Sequence, residues 1–160
     1  MPRQNRPLDK IDTAILEILQ NDCRTPLKQI AGRLGVAKST VQYRIKRLQL
    51  EGIIEGYYAK VDATKIGKAY VTITLVRAKY APGYPERVGR KIAQIPGVSA
   101  VYFVFGETDF FVLTKSKNRE DFMEKLEKII SMPEIERSNT AIVAKTIKED
   151  PRLELESSMR

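Results

Sequence analysis

The fold of this chain is decided by residues 36–48, which read VAKSTVQYRIKRL. Val41, Ile45 and Leu48 follow one another at intervals of four and three residues, so they share one face of a predicted helix. The opposite face carries Ser39, Gln42, Tyr43 and Lys46, with Arg47 at its edge. An apolar face opposite a basic, hydrogen-bonding one is what a helix in the major groove of DNA requires. A solvated amphipathic helix has the same pattern, so the neighbouring segments must decide.

Two further helices are predicted before this stretch. The first opens at Leu8-Asp9, with Asp9 as its N-cap. The second starts at Thr25-Pro26, because proline at the first helical position loses no needed N–H, and it ends at Gly35, which suits a left-handed C-terminal cap. A short turn then leads into the basic helix. This order predicts a helix-turn-helix unit with a supporting first helix, followed by an extended wing or strand over residues 53–61.

The pattern beyond Ala69 is that of an α+β domain. Alternating β-branched and aromatic residues predict strands at 70–78, 98–105, 109–115 and 136–147, and helical spacing predicts helices at 86–94 and 120–131. The order is that of a ferredoxin-like βαββαβ sandwich, with an antiparallel sheet and both helices on one face. Both faces of the central hairpin are apolar, which favours a homodimer of two sheets, although edge packing within a monomer would also hide part of this surface.

The predicted division of the chain has four parts. Residues 1–61 form a winged helix-turn-helix DNA-binding domain that begins with a loose basic arm, and residues 62–68 form a linker containing Gly67. Residues 69–148 form the ferredoxin-like domain, whose apolar sheet face favours oligomerisation. Residues 149–160 form a C-terminal tail.

Charge and composition limit the classes of function. The net charge is +8, and residues 1–52 carry +5 of it, so an anionic partner is expected at the N-terminal third. A single cysteine, Cys23, excludes an internal disulfide and fits a reducing compartment. The sequence has no signal peptide and no apolar stretch of membrane-spanning length, so a cytoplasmic location without a membrane partner is expected. The absence of histidine removes the commonest metal ligand and general base, which weighs against a hydrolase or metalloenzyme.

The chain from about Leu8 to Lys148 resembles the leucine-responsive and asparagine-responsive regulators, also called the Lrp/AsnC or feast/famine family. The resemblance lies in a series of short segments in the same order: Leu8-Asp9 with Asp12 and Ile15-Leu16; Ser39-Thr40-Val41 with Arg44-Ile45-Lys46-Arg47-Leu48; Gly52-Ile53-Ile54 with Gly56-Tyr57 and Asp62; Ile66-Gly67; Gly106-Glu107-Thr108-Asp109-Phe110; and Met132-Pro133. It implies a winged helix-turn-helix joined to a ligand-binding ferredoxin-like domain. It also implies homodimers, often assembled into octamers.

The resemblance further implies an amino-acid effector, held near the loop that residues 106–109 form. Glycine lets the backbone of Gly106 approach a ligand carboxylate, and Asp109 would receive its ammonium group. The neighbouring Glu107 and Thr108 would read the effector's side chain, and Ser138 and Thr140 on the final strand are further candidates. Without the resemblance, residues 106–109 would be interpreted as a plain hairpin turn. No other cofactor is expected.

Candidate DNA contacts come from the basic helix. We assign Ser39, Gln42 and Tyr43 to base edges, and Lys38, Lys46 and Arg47 to phosphates or guanine. Arg44 lies nearer the apolar flank and is expected to form a structural ion pair. Many members of the resembled family have serine where Ala37 stands, and alanine is a poor N-cap, so Ser39 or Thr40 would serve as a phosphate contact here.

Three functions follow from these observations. The first is a sequence-specific transcriptional regulator modulated by an amino acid, with double-stranded DNA and a second copy of the chain as partners. The alternative is an architectural DNA-binding protein that acts without an effector. Some relatives with this two-domain outline catalyse decarboxylation in haem biosynthesis, but that chemistry relies on histidine, so an enzyme is not expected.

Overall fold

A computed structural model describes residues 7–155, which fall into two compact units. Of the described residues, 7–60 and 149–155 form the N-terminal unit, and Val61–Lys148 form the sheet unit. The expected linker, 62–68, thus groups with the sheet unit, and the tail groups with the N-terminal unit. The basic arm expected at the N-terminus lies outside the described residues, apart from Pro7.

The N-terminal unit contains three helices: α1 at Lys10–Asn21, α2 at Leu27–Leu34 and α3 at Lys38–Leu50. Asp9 caps α1, because its carboxylate accepts the backbone N–H groups of Ile11 and Asp12 while the Asp12 carboxylate accepts the N–H of Asp9. Gly35 ends α2 with a left-handed backbone at φ 64°. Between the helices lies a core of fully or nearly buried side chains: Ile15, Leu16, Ile30, Ala31, Val41 and Leu48.

The segment after α3 differs from the predicted wing. The N–H groups of Ile53 and Ile54 both donate to the Leu48 carbonyl, at 2.9 and 3.1 Å, and both side chains pack against the helical core. Among the described residues 53–61 no strand forms. The reason is physical: an extended segment needs a neighbouring strand for its backbone groups, and none of residues 7–155 offers one to this stretch.

The C-terminal tail packs on α1. The Gln20 side chain pairs with both backbone groups of Leu153, donating to its carbonyl at 3.0 Å and accepting its N–H at 2.6 Å. At the last residue of α1, the Asn21 side chain accepts a hydrogen bond from Arg152 at 2.7 Å. Leu155 packs against the helical core. The tail is therefore part of the N-terminal unit and not a separate extension.

The sheet unit has the element order expected from the sequence. Its elements are β1 at Tyr70–Ala78, α4 at Tyr84–Ala93, β2 at Val98–Phe103, β3 at Phe110–Ser116, α5 at Arg119–Ile130 and β4 at Ile135–Ile142. The strands lie in the order β2-β3-β1-β4, and every pair is antiparallel. The fold is therefore an α+β sandwich. The last strand ends at Ile142, earlier than the 147 expected from its apolar residues.

The two faces of the sheet differ in burial. Residues such as Val76, Phe110 and Val112 are completely buried and pack with side chains of α4 and α5. Their sequence neighbours point to the opposite face, where Leu75 lies across from Phe111. Phe111 keeps 39% of its surface exposed and Tyr102 keeps 61%. The second face is thus apolar and accessible within one chain. No helix among residues 7–155 is long and apolar enough to cross a membrane.

Candidate functional site

The outer face of α3 is exposed. Val41 and Leu48 are completely buried in the helical core, so their side of α3 faces inward. The opposite side leaves five of the candidate DNA contacts open to solvent: Lys38, Ser39, Gln42, Tyr43 and Lys46. Thr40 is half-buried in the first turn. Ala37 is the N-cap residue of α3 and provides no side-chain cap, because a methyl group cannot accept a hydrogen bond.

A cluster of four charged side chains joins the inner flank of α3 to α1. Arg44 binds the carboxylate of Asp9 and also lies 3.1 Å from Asp12 through its Nη1 atom. Arg47 places Nη2 at 2.5 Å from the other Asp12 oxygen. Asp12 is 1% exposed, and the two arginine side chains are 19% and 16% exposed. The cluster is therefore largely shielded, and it fixes α3 against α1.

Arg44 and Arg47 consequently stand apart from the lysines of α3. The structural ion pair expected for Arg44 is present. Arg47 was assigned to phosphate or guanine, but the structure directs its guanidinium to Asp12. The spacing explains this difference, because Arg47 follows Arg44 by three residues and Asp12 follows Asp9 by three, so the two pairs match across adjacent helices. That matched spacing was the signal in the sequence.

Arg44 also changes the acidity of Asp9. Its hydrogen bond to the Asp9 carboxylate, aided by the backbone N–H of Asp12, lowers the pKa of Asp9 from 3.8 to about 2. A carboxylate whose pKa is lower in the folded state stabilises the fold above its unfolded pKa, and it loses that contribution as the pH falls toward the folded pKa.

An acid titration tests this coupling with the variant Asp9→Asn. Asparagine keeps the N-cap but carries no charge, so the variant should be less stable than the parent at neutral pH. The difference in the free energy of unfolding should shrink as the pH falls from about 4 to about 2, the window between the unfolded and folded pKa values. Urea unfolding followed by circular dichroism at stepped pH measures it. A difference that stayed constant over that window would contradict the coupling.

The loop between β2 and β3 contains Gly106, Glu107 and Thr108, and Arg77 fastens it to β1. The Nη1 atom of Arg77 donates to the carbonyls of Gly106 at 3.3 Å and Glu107 at 2.9 Å. Gly106 has a φ of 142°, a backbone conformation that side-chain-bearing residues rarely adopt. The loop is therefore a defined structure, and Arg77 is a functional candidate that the sequence analysis missed. The signal was a single charged residue in an otherwise uncharged strand.

Asp109 is a brace inside the sheet unit, a role beside the receptor for an ammonium group that the sequence analysis expected. Its Oδ1 accepts the hydroxyl of Tyr84 and its Oδ2 accepts the N–H of Ala78, both at 2.8 Å. Arg77 Nε lies 3.7 Å from the same Oδ2. Because the Asp109 carboxylate accepts from the phenol, the pKa of Tyr84 is raised. The side chain is 12% exposed, and each of its oxygens accepts one hydrogen bond from the protein itself.

A cleft of about 500 Å³ opens beside this brace. Gly106 and Asp109 line it, together with Arg77, residues 80–85 and residues 103–105. Glu107 and Thr108 do not line it, and neither do Ser138 and Thr140. Thr140 lies across from Thr74 and shares a hydrogen bond of 2.9 Å with its hydroxyl, on the side of the sheet that carries the buried core. The structure thus brings two of the six candidate effector residues together in one cleft.

Among residues 7–155 no group of acidic, cysteine or histidine side chains is arranged to hold a metal ion.

Comparison with known proteins gives consistent matches for both units. Residues 8–49 match the AsnC-type helix-turn-helix domain, and residues 68–153 match the Lrp/AsnC ligand binding domain. The chain is 38% identical over 147 residues to the HTH-type transcriptional regulator FL11 of Pyrococcus horikoshii, covering 92% of this chain and 96% of that protein. It is 36% identical over 146 residues to FL11 of Pyrococcus furiosus, covering 91% and 95%.

Solved structures share the same architecture. Escherichia coli AsnC superposes with a TM-score of 0.80 at 24% identity, covering 90% of this chain and 97% of that one. The regulator NMB0573 of Neisseria meningitidis, solved as a complex with L-Met, superposes with a TM-score of 0.85 at 23% identity, covering 94% and 98%.

A helix-turn-helix unit joined to an antiparallel α+β ligand-binding domain defines a two-domain, DNA-binding transcriptional regulator. The relatives matched over nearly the whole length are regulators and not enzymes. The chain belongs to the Lrp/AsnC family. The resemblance, the fold class and the expectation of a non-enzymatic regulator are thereby confirmed.

Proposed function

We propose that the protein is a sequence-specific regulator whose DNA binding or assembly is modulated by a small effector, an amino acid. The exposed outer face of α3 carries the first half of this proposal. It offers amide, hydroxyl and phenol groups beside two lysines. The inner flank of the same helix is held to α1 by the ion pairs of Arg44 and Arg47 with Asp12. Hydrogen-bonding groups can read base edges, while ammonium groups neutralise phosphates.

Each exposed residue has a proposed role. Ser39, Gln42 and Tyr43 contact base edges in the major groove, and Lys38 and Lys46 contact phosphates. Thr40 in the first turn supplies a hydroxyl to a phosphate. Arg44 and Arg47 are left out of the contact set, because their charges are already matched by Asp9 and Asp12.

A homodimer would present two such helices. The accessible apolar face around Leu75, Tyr102 and Phe111 favours pairing of two sheets, since a surface of this kind is rarely left open to water. In a dimer with two-fold symmetry the two copies of α3 would enter successive major grooves about 34 Å apart. The operator would accordingly be a palindrome or close to one.

The loop fastened by Arg77 supports the second half of the proposal. It lies beside a cleft of a size that small molecules occupy, in a domain that matches the Lrp/AsnC ligand binding domain. A regulator with the same fold has been solved with L-Met, which offers a precedent for an amino acid as ligand. Within this loop the backbone around Gly106 is the part left to meet the ligand, since Asp109 is engaged internally.

Duplex binding over a salt series tests the assignment of α3. Gln42→Ala should lose about 1–3 kcal/mol of discrimination between the operator and a changed base pair, because its amide no longer reads that base. Lys46→Ala should weaken binding to all duplexes alike and flatten the slope of log affinity against log salt by about one unit. Lys128→Ala, on α5, removes the same charge from outside the proposed interface and is the control.

The outcomes separate two functions. If Gln42→Ala and Lys46→Ala both bound like the parent, α3 would not be the DNA-reading helix. If the parent itself bound every duplex with equal affinity, the protein would be the architectural binder and not a sequence-specific regulator.

A further inference from the structure

The cleft beside Asp109 has aromatic walls that water reaches freely. Phe105 is 95% exposed, Tyr80 is 89% exposed and Phe103 is 40% exposed. Together with Tyr84 beneath them they form a continuous array, and we call the space they line the aromatic cleft. Their ring centroids lie 5.7 Å apart for Tyr80–Tyr84, 6.0 Å for Tyr84–Phe103 and 5.4 Å for Phe103–Phe105. A contiguous exposed aromatic surface of this kind marks a binding site.

The charges in the aromatic cleft cancel. Arg77 and Asp109 are the charged members among its described lining residues, and they face each other with Nε 3.7 Å from Oδ2. Each oxygen of Asp109 also accepts a hydrogen bond within the protein, one from Tyr84 and one from the Ala78 N–H. Each of these charges is therefore partly neutralised by the other, and a charged side chain of the ligand would have to leave water and compete with this ion pair, which is unfavourable. A neutral, apolar side chain meets no such penalty.

Arg77 still has donors for the other end of a ligand. Its contacts to the loop and to Asp109 use Nη1 and Nε, and a guanidinium carries two more N–H groups on Nη2. The side chain is 39% exposed, so a carboxylate arriving from solvent can reach it. A molecule that combines a carboxylate with a large apolar group matches both features of the cleft.

We propose that the aromatic cleft selects the effector by its side chain, and that the effector is an amino acid with a large apolar side chain, an aromatic one above all. This inference rests on the proposed function, which makes an amino acid the effector. The volume of about 500 Å³ falls within the range of small-molecule sites. Aromatic rings already meet edge to face here, and a ligand ring can extend the same array.

Isothermal titration calorimetry of the full-length protein with single amino acids tests this selectivity. L-Phenylalanine should bind about tenfold or more tightly than L-lysine or L-aspartate, which corresponds to about 1.4 kcal/mol. Phe105→Ala and Tyr80→Ala should each weaken phenylalanine binding by about five- to tenfold, since each removes one ring contact. Both side chains are exposed, so the variants should fold like the parent, which circular dichroism checks. Tyr58→Ala, 70% exposed in the N-terminal unit, is the matched control.

The results distinguish this inference from the proposal on which it rests. If lysine or aspartate bound more tightly than phenylalanine, or if Phe105→Ala bound phenylalanine as well as the parent, the selectivity would be wrong while an amino-acid effector would stand. If none of the twenty amino acids bound at millimolar concentration, both would fall. If Phe105→Ala changed only the sedimentation mass, with no amino acid bound by the parent, the cleft would be a contact between copies and the inference would be overturned.

Discussion

Replacing Asp12 with asparagine is expected to lower the free energy of unfolding of the N-terminal unit by about 3 kcal/mol, the low end of the cost of breaking a buried ion pair. Asp12 is 1% exposed and contacts both Arg44 and Arg47, so its loss leaves two guanidinium groups with less negative charge nearby. The amide keeps only one oxygen, for which the Asp9 N–H and the two arginines would compete.

Hydrogen exchange of the α1 and α3 amides reports this loss for the unit alone, without interference from the sheet unit. Glu17→Gln on the same helix makes the same chemical change outside the cluster, and it should stay within about 0.5 kcal/mol of the parent. The Asp12 variant should also bind DNA less tightly, because α3 would no longer be fixed against α1. Equal protection of α1 in Asp12→Asn and Glu17→Gln would refute the anchoring role of the cluster.

Replacing Asp109 with alanine should have an effect of similar size in the sheet unit, about 3 kcal/mol. The change strands the N–H of Ala78 and the hydroxyl of Tyr84, both of which the carboxylate accepts at 2.8 Å, and it removes the charge beside Arg77. A buried donor left without a partner costs its full desolvation energy, which exceeds the net value of the hydrogen bond itself.

Thermal unfolding without any amino acid present separates this bracing role from ligand binding. If Asp109 braces the fold, Asp109→Ala should lower the melting temperature in the absence of ligand. Asp109→Asn should recover part of the loss, because the amide keeps one acceptor oxygen. Glu107→Ala, an exposed acidic position two residues earlier, is the control and should melt like the parent. A normal melting temperature for Asp109→Ala would return Asp109 to the role of a ligand contact.

The fold could be predicted because its signals are local. The spacing of Val41, Ile45 and Leu48 and the left-handed cap at Gly35 each depend on a few neighbouring residues. The alternation of residue types along the strands of the sheet unit likewise depends only on neighbouring residues. The wing and the end of the last strand could not be predicted in this way. A strand needs a partner strand, and the sequence of the segment does not show whether one is present. Residues 53–61 have no partner strand among the described residues, and β4 ends at Ile142.

The site was predicted less well, because its contacts join distant parts of the chain. Arg47 and Asp12 are 35 residues apart, and Tyr84 and Asp109 are 25 apart. The side of the sheet on which Thr140 lies depends on its register with β1, which shifts between Arg77 and Ala78. The tail, likewise, returns to α1 through Gln20 over 133 residues. Periodicity in one segment carries no information on such pairings.

Photo-cross-linking to DNA tests most directly the central claim, that the exposed face of α3 reads base edges. The C5 position of thymine lies in the major groove, so 5-iodouracil in place of each operator thymine in turn sets a photoreactive atom where α3 should lie. Tyr43, an aromatic residue that is 66% exposed on that face, is the expected point of attachment, and mass spectrometry of the adduct locates it. An adduct on Tyr43 or its neighbours in Lys38–Leu50, lost at high salt, is the predicted result. Adducts confined to residues outside α3 would contradict it.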